Sequence, residues 1–399
     1  MFMSVEQMNI LLANMAKMVN DSGGLSKVTC AFANEMARKG HNVTLIYSDD
    51  KEGEFFFPVD AKVVCYNLRH FQGNHNIFPL SYKIKREVFR AFDGRRGRAV
   101  NNAFTRKYLS GHVDTILKQV HPDVIIASQP AATEIFISVL NTNIPVITMS
   151  HGNPEDYFHS YPQEEIPGIS RSAACQVLLP SFAEPLTSRY PDLKTVVIGN
   201  VVPQYEEQAN LHKEKDTYKI ITIGRLVKNH KRPHLLIEAF SKLADSFPNW
   251  QVELWGAEDT KKYTAYLKAL VTRYHLENRV FFKGTTRNVA KVLVNGDIFV
   301  FPSAYEGFGL TMAEAMSMGL PAIGYKNCVA VNEIIHDGEN GFLADDGIEP
   351  LAEKMRLLME DSELRARMGQ AARRSMKQYS ADKIWGAWED LLHEVVRDV

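Results

Sequence analysis

The sequence predicts an α/β fold built from two doubly wound units of parallel sheet. Short apolar runs alternate with helical patterns from end to end, as expected for successive βα units. The chain has 399 residues, a length that favours two domains with sizeable cores. Between the two halves lies a polar segment without periodicity, residues 203–218, which we interpret as the break between the domains.

Each half of the chain contains its own candidate strands. In the first half they are residues 9–13, 42–47, 123–127, 146–149, 176–179 and 195–198. In the second half they are residues 219–224, 251–255, 280–283, 297–301 and 321–324. The predicted parts are therefore a Rossmann-like domain (1–205), a linker (206–218), a second Rossmann-like domain (219–379) and a closing helix (380–399).

The closing helix is predicted from apolar residues at i, i+3 and i+4 spacing. They are Trp385, Trp388, Leu391, Leu392 and Val395. So much aromatic surface requires a packing partner, and we expect the helix to pack back on the first domain.

Composition and charge exclude several classes of protein. Hydrophobic residues make up 45% of the chain and charged residues 23%, which are globular rather than fibrous or disordered values. The 46 Lys and Arg residues nearly balance the 47 Asp and Glu residues, so no nucleic-acid partner is expected. The four cysteines lack zinc-ligand spacing. No cleavable leader or membrane-spanning apolar run is recognised, so a cytoplasmic protein is expected.

Residues 83–107 depart from this neutral average. They contain nine basic residues against Glu87 and Asp93, with apolar residues between them. The nine are Lys83, Lys85, Arg86, Arg90, Arg95, Arg96, Arg98, Arg106 and Lys107. Such a segment fits a surface that faces anionic lipid or an anionic acceptor. A solvated basic helix and loop is the alternative.

The first candidate ligand-binding feature is the pair Gly23 and Gly24, which follows the first predicted strand and opens a helical pattern. Glycines at a strand-to-helix turn allow backbone N–H groups to approach a phosphate, and the helix N-terminus adds partial positive charge. The segment has neither the spacing of a dinucleotide fingerprint nor the lysine of a P-loop. A turn in which the glycines only supply positive φ angles is the alternative.

The second feature is a group of cations that includes Arg225, Lys228, Lys231 and Arg232, between strand 219–224 and a predicted helix. Open α/β sheets bind ligands at the carboxyl ends of their strands. An arginine can contact two phosphate oxygens and a lysine supplies a point charge, so the group suits a diphosphate. An exposed basic loop is the alternative.

The third feature is the start of a helix after strand 297–301. The sequence there is PSAYEGFGLTMAEAM, with the helix predicted from about Leu310. The free N–H groups of Gly309, Leu310 and Thr311 would point toward one anion.

Two carboxylates belong to the same segment. Glu306 precedes the helix and Glu314 lies about one turn inside it. We expect one carboxylate to reach a sugar, while the other faces a ribose or a neighbouring helix. A purely structural role for Glu314 is the alternative.

These motifs together resemble a known family. Seven residues separate Glu306 from Glu314, as in the E-x7-E signature of retaining family-4 glycosyltransferases with the GT-B fold. The stretches ITIGRLVKNHKRPHLLIEAF, FFKGTTRNVAKVL, DIFVFPS and EIIHDGENGFL resemble the family's donor-binding domain, and GGLSKVTCAFANEMARKGHNVTLIY is similar to its N-terminal opening. The resemblance covers essentially the whole chain. It implies an acceptor-side first domain, a nucleotide-sugar donor-binding second domain and a cleft between them.

Carried over position by position, the resemblance implies roles for individual residues. Arg225 and Lys231 would hold the donor diphosphate, and Glu306 would contact the transferred sugar. His151 would lie near that sugar and complete the catalytic set, although a loop histidine with only local hydrogen bonds is the alternative. Glu314 would hydrogen-bond the ribose. The other implied donor contacts are Gly23, Gly24, Lys283, Gly284 and the backbone amides of Phe308, Gly309, Leu310 and Thr311, with Arg287 nearby.

The resemblance further implies a metal-independent, retaining transfer that needs no cofactor. The expected donor is a nucleotide-diphosphate sugar, preferably a UDP-sugar, and the expected acceptor is a glycan or lipid-linked glycan in polysaccharide or lipopolysaccharide synthesis. The expected location is the cytoplasm or the inner face of the membrane. A sugar-nucleotide epimerase or hydrolase, and a non-catalytic nucleotide-sugar-binding module, are the alternatives. Gly199–Asn200 and residues 326–332 depart from the family pattern, which affects acceptor and sugar contacts most.

Overall fold

The computed structural model describes residues 7–397, so residues 1–6 and 398–399 of the predicted domains lie outside the described residues. The chain divides into two compact units. The first runs to Gly199 and resumes at Trp385, and the second comprises Asn200–Ile384. Each unit contains its own parallel sheet.

The sheet of the first unit is doubly wound. Its strands are β1 (Asn9–Asn14), β2 (Asn42–Tyr47), β3 (Val64–Asn67), β4 (Val124–Ala127), β5 (Val146–Met149), β6 (Ala174–Val177) and β7 (Thr195–Val197). Within residues 7–397 these seven strands pair in the order β3-β2-β1-β4-β5-β6-β7, all parallel. The strand order therefore reverses at β1, the topological position at which such sheets bind ligands.

Helices cover this sheet. They are α1 (Gly24–Arg38), α2 (Leu80–Phe92), α3 (Gly94–Phe104), α4 (Ser110–Val120), α5 (Pro130–Glu134), α6 (Glu155–Ser160), α7 (Ile166–Ser170) and α8 (Glu184–Thr187). Single π-turns, Thr105–Leu109 and Ile135–Val139, continue α3 and α5. Leu11, Ile125 and Ile116 belong to a core that joins the central strands to α4.

The second unit repeats the same plan. Its strands are β8 (Tyr218–Ile223), β9 (Trp250–Trp255), β10 (Val280–Gly284), β11 (Ile298–Phe301), β12 (Ala322–Tyr325) and β13 (Gly341–Ala344). In the described part of the unit these six strands pair in the order β10-β9-β8-β11-β12-β13, all parallel. The order reverses at β8, so the carboxyl ends of β8 and β11 mark the switch point.

The helices of the second unit are α9 (Pro233–Ser241), α10 (Lys261–Arg273), α11 (Val289–Leu293), α12 (Leu310–Ser317), α13 (Val329–Ile334), α14 (Ile348–Glu360) and α15 (Ser362–Ser375). Ile220, Val252 and Ile323 of the sheet share one buried core with Phe240 and Met355 of the helices. Apolar residues on both faces of the strands explain why the predicted strands read as continuous apolar runs.

The last helix, α16 (Ala381–Arg397), belongs to the first unit from Trp385 onward. Trp388 is buried and packs edge-on against Phe32 of α1, with ring centroids 5.0 Å apart. Lys39 donates to Glu389 at 2.6 Å, and Lys194 forms an ion pair with Glu394. The aromatic periodicity of α16 thus produces a packed interface within the first unit.

The segment that we interpreted as a linker is held along the second unit. Ala209 N–H donates to the Met318 carbonyl at 2.9 Å. Arg373 of α15 donates to the carbonyls of Tyr205, at 2.5 Å, and Glu206, at 3.3 Å. Because its backbone polar groups find these partners, the segment needs no regular secondary structure to pack.

Within the described chain, the eleven predicted strands are all present, with the strand predicted at 176–179 observed two residues earlier. Two further strands were not predicted. The edge strand β3 is half-exposed, so it shows no apolar run, and β13 is a four-residue strand that follows directly on a turn at His336–Asn340. Short strands stabilised by a single neighbour have little local signal.

A search of the helices between residues 7 and 397 finds no span that is both long enough and apolar enough to cross a membrane.

Candidate functional site

Two loops at the switch point of the second unit are bound to each other. One follows β8 and the other follows β11. Ala304 N–H donates to the His230 carbonyl at 2.8 Å. Arg232 donates to the Pro302 carbonyl at 2.9 Å, pairs with Asp346 at 2.9 Å and lies over the Tyr325 ring. The two predicted motifs, 75 residues apart in sequence, therefore form one site.

Lys231 and Glu306 meet at the centre of this site as an ion pair. The Lys231 ammonium also lies 4.5 Å from the centre of the Phe301 ring, and its stem runs over Gly224, where a Cβ would come within 3.3 Å of Lys231 Cε. The two side chains keep 27% and 11% of their surface exposed. A ligand can therefore reach both charges.

Arg225 lies beside this ion pair. It follows β8, is exposed, and lines a small recess with Gly224, Lys231 and Ser303. The Ser303 hydroxyl is buried and finds no hydrogen-bond partner among the described residues. The recess thus offers two cations and a hydroxyl donor, which are the groups that bind diphosphate oxygens.

The N-terminus of α12 completes the site. Gly309 caps the helix with φ +80, a left-handed conformation that glycine adopts without strain. Thr311 ties the helix to β8, because its hydroxyl donates to the Ile223 carbonyl at 2.9 Å. The first intrahelical bond is donated by Ala313, so the N–H groups of Leu310 and Thr311 have no acceptor within the helix. Partial positive charge therefore accumulates at this end.

Phe308 contributes through its backbone only. Its side chain is buried and packs edge-on against Tyr379, with ring centroids 5.0 Å apart. This aromatic contact anchors the loop before α12 to the body of the unit.

Glu314 lies on the buried side of α12, with 1% of its surface exposed. Burial and the negative charge of Glu314 together raise the pKa of the Tyr205 hydroxyl. The two side chains are thus electrostatic neighbours. Glu314 is placed under the site rather than in the open part that Lys231 and Glu306 form.

Lys283 and Gly284 close β10, where both are exposed. The Lys283 ammonium lies 5.7 Å from the Trp255 ring centre. The Gly284 carbonyl accepts from Gly256 N–H at 2.8 Å, which joins the ends of β9 and β10. Arg287 follows in the next turn and is also exposed.

In the first unit, Gly23 and Gly24 begin α1 after β1. Gly23 has φ −71 and Gly24 is already helical, so the alternative that they supply positive φ angles is wrong. Asp21 accepts from Gly23 N–H at 3.3 Å and from the Ser26 hydroxyl. A carboxylate therefore already contacts part of this helix N-terminus.

His151 follows β5 in the first unit. Its ring is half-buried, and Nε2 is shielded from solvent without a hydrogen-bond partner in the described chain. Burial lowers the pKa of His151 to about 4. The imidazole is therefore neutral near pH 7, and it can serve a ligand as a hydrogen-bonding group but not as a cation.

Two sequence families match the chain, one in each half. Residues 22–176 match the family described as "Glycosyltransferase Family 4". Residues 203–375, which include the whole site of the second unit apart from its flanks, match "Glycosyl transferases group 1". Together the two matches cover more than three quarters of the chain. The chain belongs to the group 1, family-4-like glycosyltransferases.

Relatives of this glycosyltransferase span its full length. An uncharacterised glycosyltransferase of Haemophilus influenzae is 23% identical, over 94% of this chain and 97% of that one. A Staphylococcus aureus poly(ribitol-phosphate) alpha-N-acetylglucosaminyltransferase is 26% identical, over 89% of this chain and 74% of that one. The crystal structure of S. aureus TarM with fondaparinux, alpha-GlcNAc-glycerol and UDP matches with a TM-score of 0.74 at 16% identity, over 96% of this chain and 99% of that one. The predicted GT-B fold is thereby confirmed.

Within the glycosyltransferase, Arg232 has a role that sequence reasoning missed. It was grouped with the diphosphate cations, but its fork binds the loop after β11 and Asp346. It also caps α9 in a left-handed conformation. Arg232 is therefore a positioning residue, and its placement directly before Pro233 at a helix start is the only sequence signal that could have indicated this.

The described residues of the enzyme contain no group of three or more His, Cys, Asp or Glu side chains arranged to hold a metal ion.

The basic segment of the enzyme is anchored by buried carboxylates in the first unit. Arg106 pairs with Glu134, and Asn102 donates to Glu165 at 2.6 Å. Both glutamates are buried. Burial raises the pKa of Glu165 to about 7, and the negative charge of nearby Glu134 adds to this.

We expect Glu165→Gln to stabilise the enzyme at pH 8 and to have little effect at pH 5. The folded chain holds a proton on Glu165 up to about pH 7, whereas the ordinary pKa is 4.5. Stability is therefore lost as the pH rises between these values, by up to about 3 kcal/mol. Urea unfolding at both pH values measures the effect, with the more exposed Glu164→Gln as control. A Glu165→Gln variant no more stable than the parent at pH 8 would contradict it.

Proposed function

We infer that the enzyme transfers a sugar from a nucleotide-diphosphate sugar, preferably a UDP-sugar, to a glycan or lipid-linked glycan. The proposed transfer retains the anomeric configuration and needs no metal ion. The observation that carries this proposal is the Lys231–Glu306 ion pair, which lies beside Arg225 in the second unit. It places a carboxylate and two cations at the switch point, where both ends of a donor can be recognised.

The charges match those that develop during transfer. As the bond between the anomeric carbon and the diphosphate oxygen breaks, the leaving diphosphate gains negative charge. Arg225, Lys231 and the N–H groups at the start of α12 would stabilise that charge without reorganising. The sugar gains positive charge at the same time, and the Glu306 carboxylate would stabilise it.

Retention assigns the last proton to the donor. The acceptor hydroxyl would attack the anomeric carbon on the face that the diphosphate leaves, and its proton would pass to the departing phosphate oxygen. One glycosidic bond forms and one breaks, so no further reactant is needed. The cations that neutralise the diphosphate supply the charge that a metal ion would otherwise provide.

Two relatives support the donor and acceptor classes. The S. aureus enzyme at 26% identity is named for N-acetylglucosamine transfer to poly(ribitol-phosphate), a cell-surface polymer. The structurally similar TarM complex contains UDP and an alpha-GlcNAc glycoside. We therefore propose a role in cell-surface polysaccharide or lipopolysaccharide synthesis, at the inner face of the membrane, with residues 83–107 facing anionic lipid.

The first experiment tests the donor. Thermal unfolding without added metal is recorded with UDP, GDP, ADP, NAD and the common sugar conjugates. A nucleoside diphosphate at about 100 times its Kd adds roughly 2.7 kcal/mol of stability. Stabilisation by one diphosphate that disappears in Arg225→Ala supports the proposal. No response, or a response to NAD alone, would overturn the diphosphate assignments.

A second experiment tests the reaction. With the stabilising donor and an alpha-configured test glycoside as acceptor, NMR of the product gives the anomeric configuration, and addition of EDTA tests the metal requirement. An inverted product would contradict retention, and loss of activity in EDTA would contradict metal independence. Release of nucleoside diphosphate from donor alone, at the rate seen with acceptor, would instead indicate a hydrolysing epimerase.

A further inference from the structure

Helix α2 is unusual among the long helices of the first unit. All thirteen of its residues are described, and none is buried. Its inner side, with Tyr82 and Phe89, packs partly on the core. Its outer side exposes Leu80, Ile84, Val88 and Phe92, whose exposed fractions are 71%, 58%, 50% and 84%.

These four residues form a continuous apolar stripe. They recur every four residues, so each lies one turn above the last, with a small angular drift. The stripe is about 18 Å long at 1.5 Å per residue. Ile77, 61% exposed, extends it before the helix begins. Isolated exposed apolar residues are ordinary, but a contiguous stripe of this length indicates a binding surface.

Exposed cations flank the stripe. Lys83, Lys85 and Arg90 of α2 are exposed, and so is Arg96 of α3. The acidic residue of α2, Glu87, is paired with Arg86 at 2.9 Å and Arg90 at 3.4 Å. The outer face of α2 therefore combines an apolar stripe with a net positive border.

The structure separates these cations from others in the same segment. Arg98 lies 3.6 Å from the centre of the Tyr161 ring, and Arg106 pairs with Glu134. These two arginines hold α3 and its π-turn to the unit. They are not available to a partner, so the positive surface is smaller than the sequence indicates and is centred on α2.

We propose that α2 lies in the headgroup region of an anionic lipid bilayer, with its stripe inserted and its cations contacting lipid phosphates. An amphipathic helix with an apolar face and a Lys/Arg border fits this interface. An acidic protein partner would satisfy the cations but not a stripe of aliphatic and aromatic side chains. A second copy of this chain would bring two positive borders together, which costs energy.

The biological purpose of this surface rests on the proposed lipid-linked acceptor, but its test does not. Co-sedimentation is measured with phosphatidylcholine vesicles and with vesicles that contain about 30% phosphatidylglycerol. The parent enzyme is expected to bind only the anionic vesicles. Ile84→Ser/Val88→Ser/Phe92→Ser should bind at least about tenfold more weakly. Lys83→Gln/Lys85→Gln/Arg90→Gln should lose about fivefold for each cation removed.

Two controls keep the result specific. Val197→Ser changes an exposed valine on β7 and should bind vesicles like the parent. Thermal stabilisation by the nucleoside diphosphate should be unchanged in both α2 variants, which separates membrane binding from the proposed transfer. Equal binding of the stripe variant and the parent would overturn the proposal. So would a parent that ignores anionic vesicles, or one whose self-association is abolished by the stripe variant.

Discussion

The Glu306→Gln variant is expected to bind nucleoside diphosphate at least as well as the parent enzyme and to transfer sugar about 100- to 1,000-fold more slowly. Glu306 is paired with Lys231 in the free enzyme, so its neutralisation leaves the Lys231 ammonium available to the diphosphate. Transfer loses the carboxylate that stabilises positive charge on the sugar, and one such preorganised group is typically worth this much in rate.

Calorimetric titration with the diphosphate and initial rates of transfer measure the two effects separately. Glu339→Gln is a suitable control, because Glu339 is exposed in the same unit, outside the Lys231–Glu306 site. It should leave both quantities unchanged. A Glu306→Gln variant that transfers at the parent rate would remove Glu306 from the reaction, and one that fails to fold would point to a structural role.

The Lys231→Ala variant should lose both donor binding and transfer. A charge-assisted hydrogen bond contributes about 1.5–3 kcal/mol, so the Kd for nucleoside diphosphate should rise about 10- to 150-fold. The variant should still fold, because a partly exposed ion pair contributes at most about 1 kcal/mol to stability.

Lys228→Ala provides the matched control, because Lys228 is an exposed lysine in the same loop. It should change the Kd by less than about threefold, the effect of a distant screened charge. Titration of both variants with the same diphosphate decides the matter. Equal affinities for the Lys231→Ala variant and the parent would show that the diphosphate lies elsewhere.

Much of the fold was predictable because parallel strands bury both faces. Strands such as β4 and β11 consist entirely of buried residues, so each is a continuous apolar run in the sequence. The strands that were missed, β3 and β13, lie at the sheet edges. An edge strand depends on one neighbour, and its residues need not be apolar on both faces.

The candidate site was predictable where its chemistry is local. Gly309 before α12 and the spacing of Glu306 from Glu314 are properties of a short segment, and both were identified there. Ser303 was not, since its significance depends on a buried hydroxyl in the same recess as Arg225. The contrast between Lys231 and Arg232 was also missed, because neighbouring cations look alike until their partners are known.

The sequence by itself determined two doubly wound units, the positions of most strands, the start of α12 and the segments that carry the charges. These depend on apolar periodicity and backbone conformation within a few residues. Only the tertiary structure decided that Lys231 meets Glu306, that Arg98 and Arg106 turn inward, and that the apolar stripe of α2 stays exposed. The partners of a charged side chain come from distant segments, and packing alone brings those segments together.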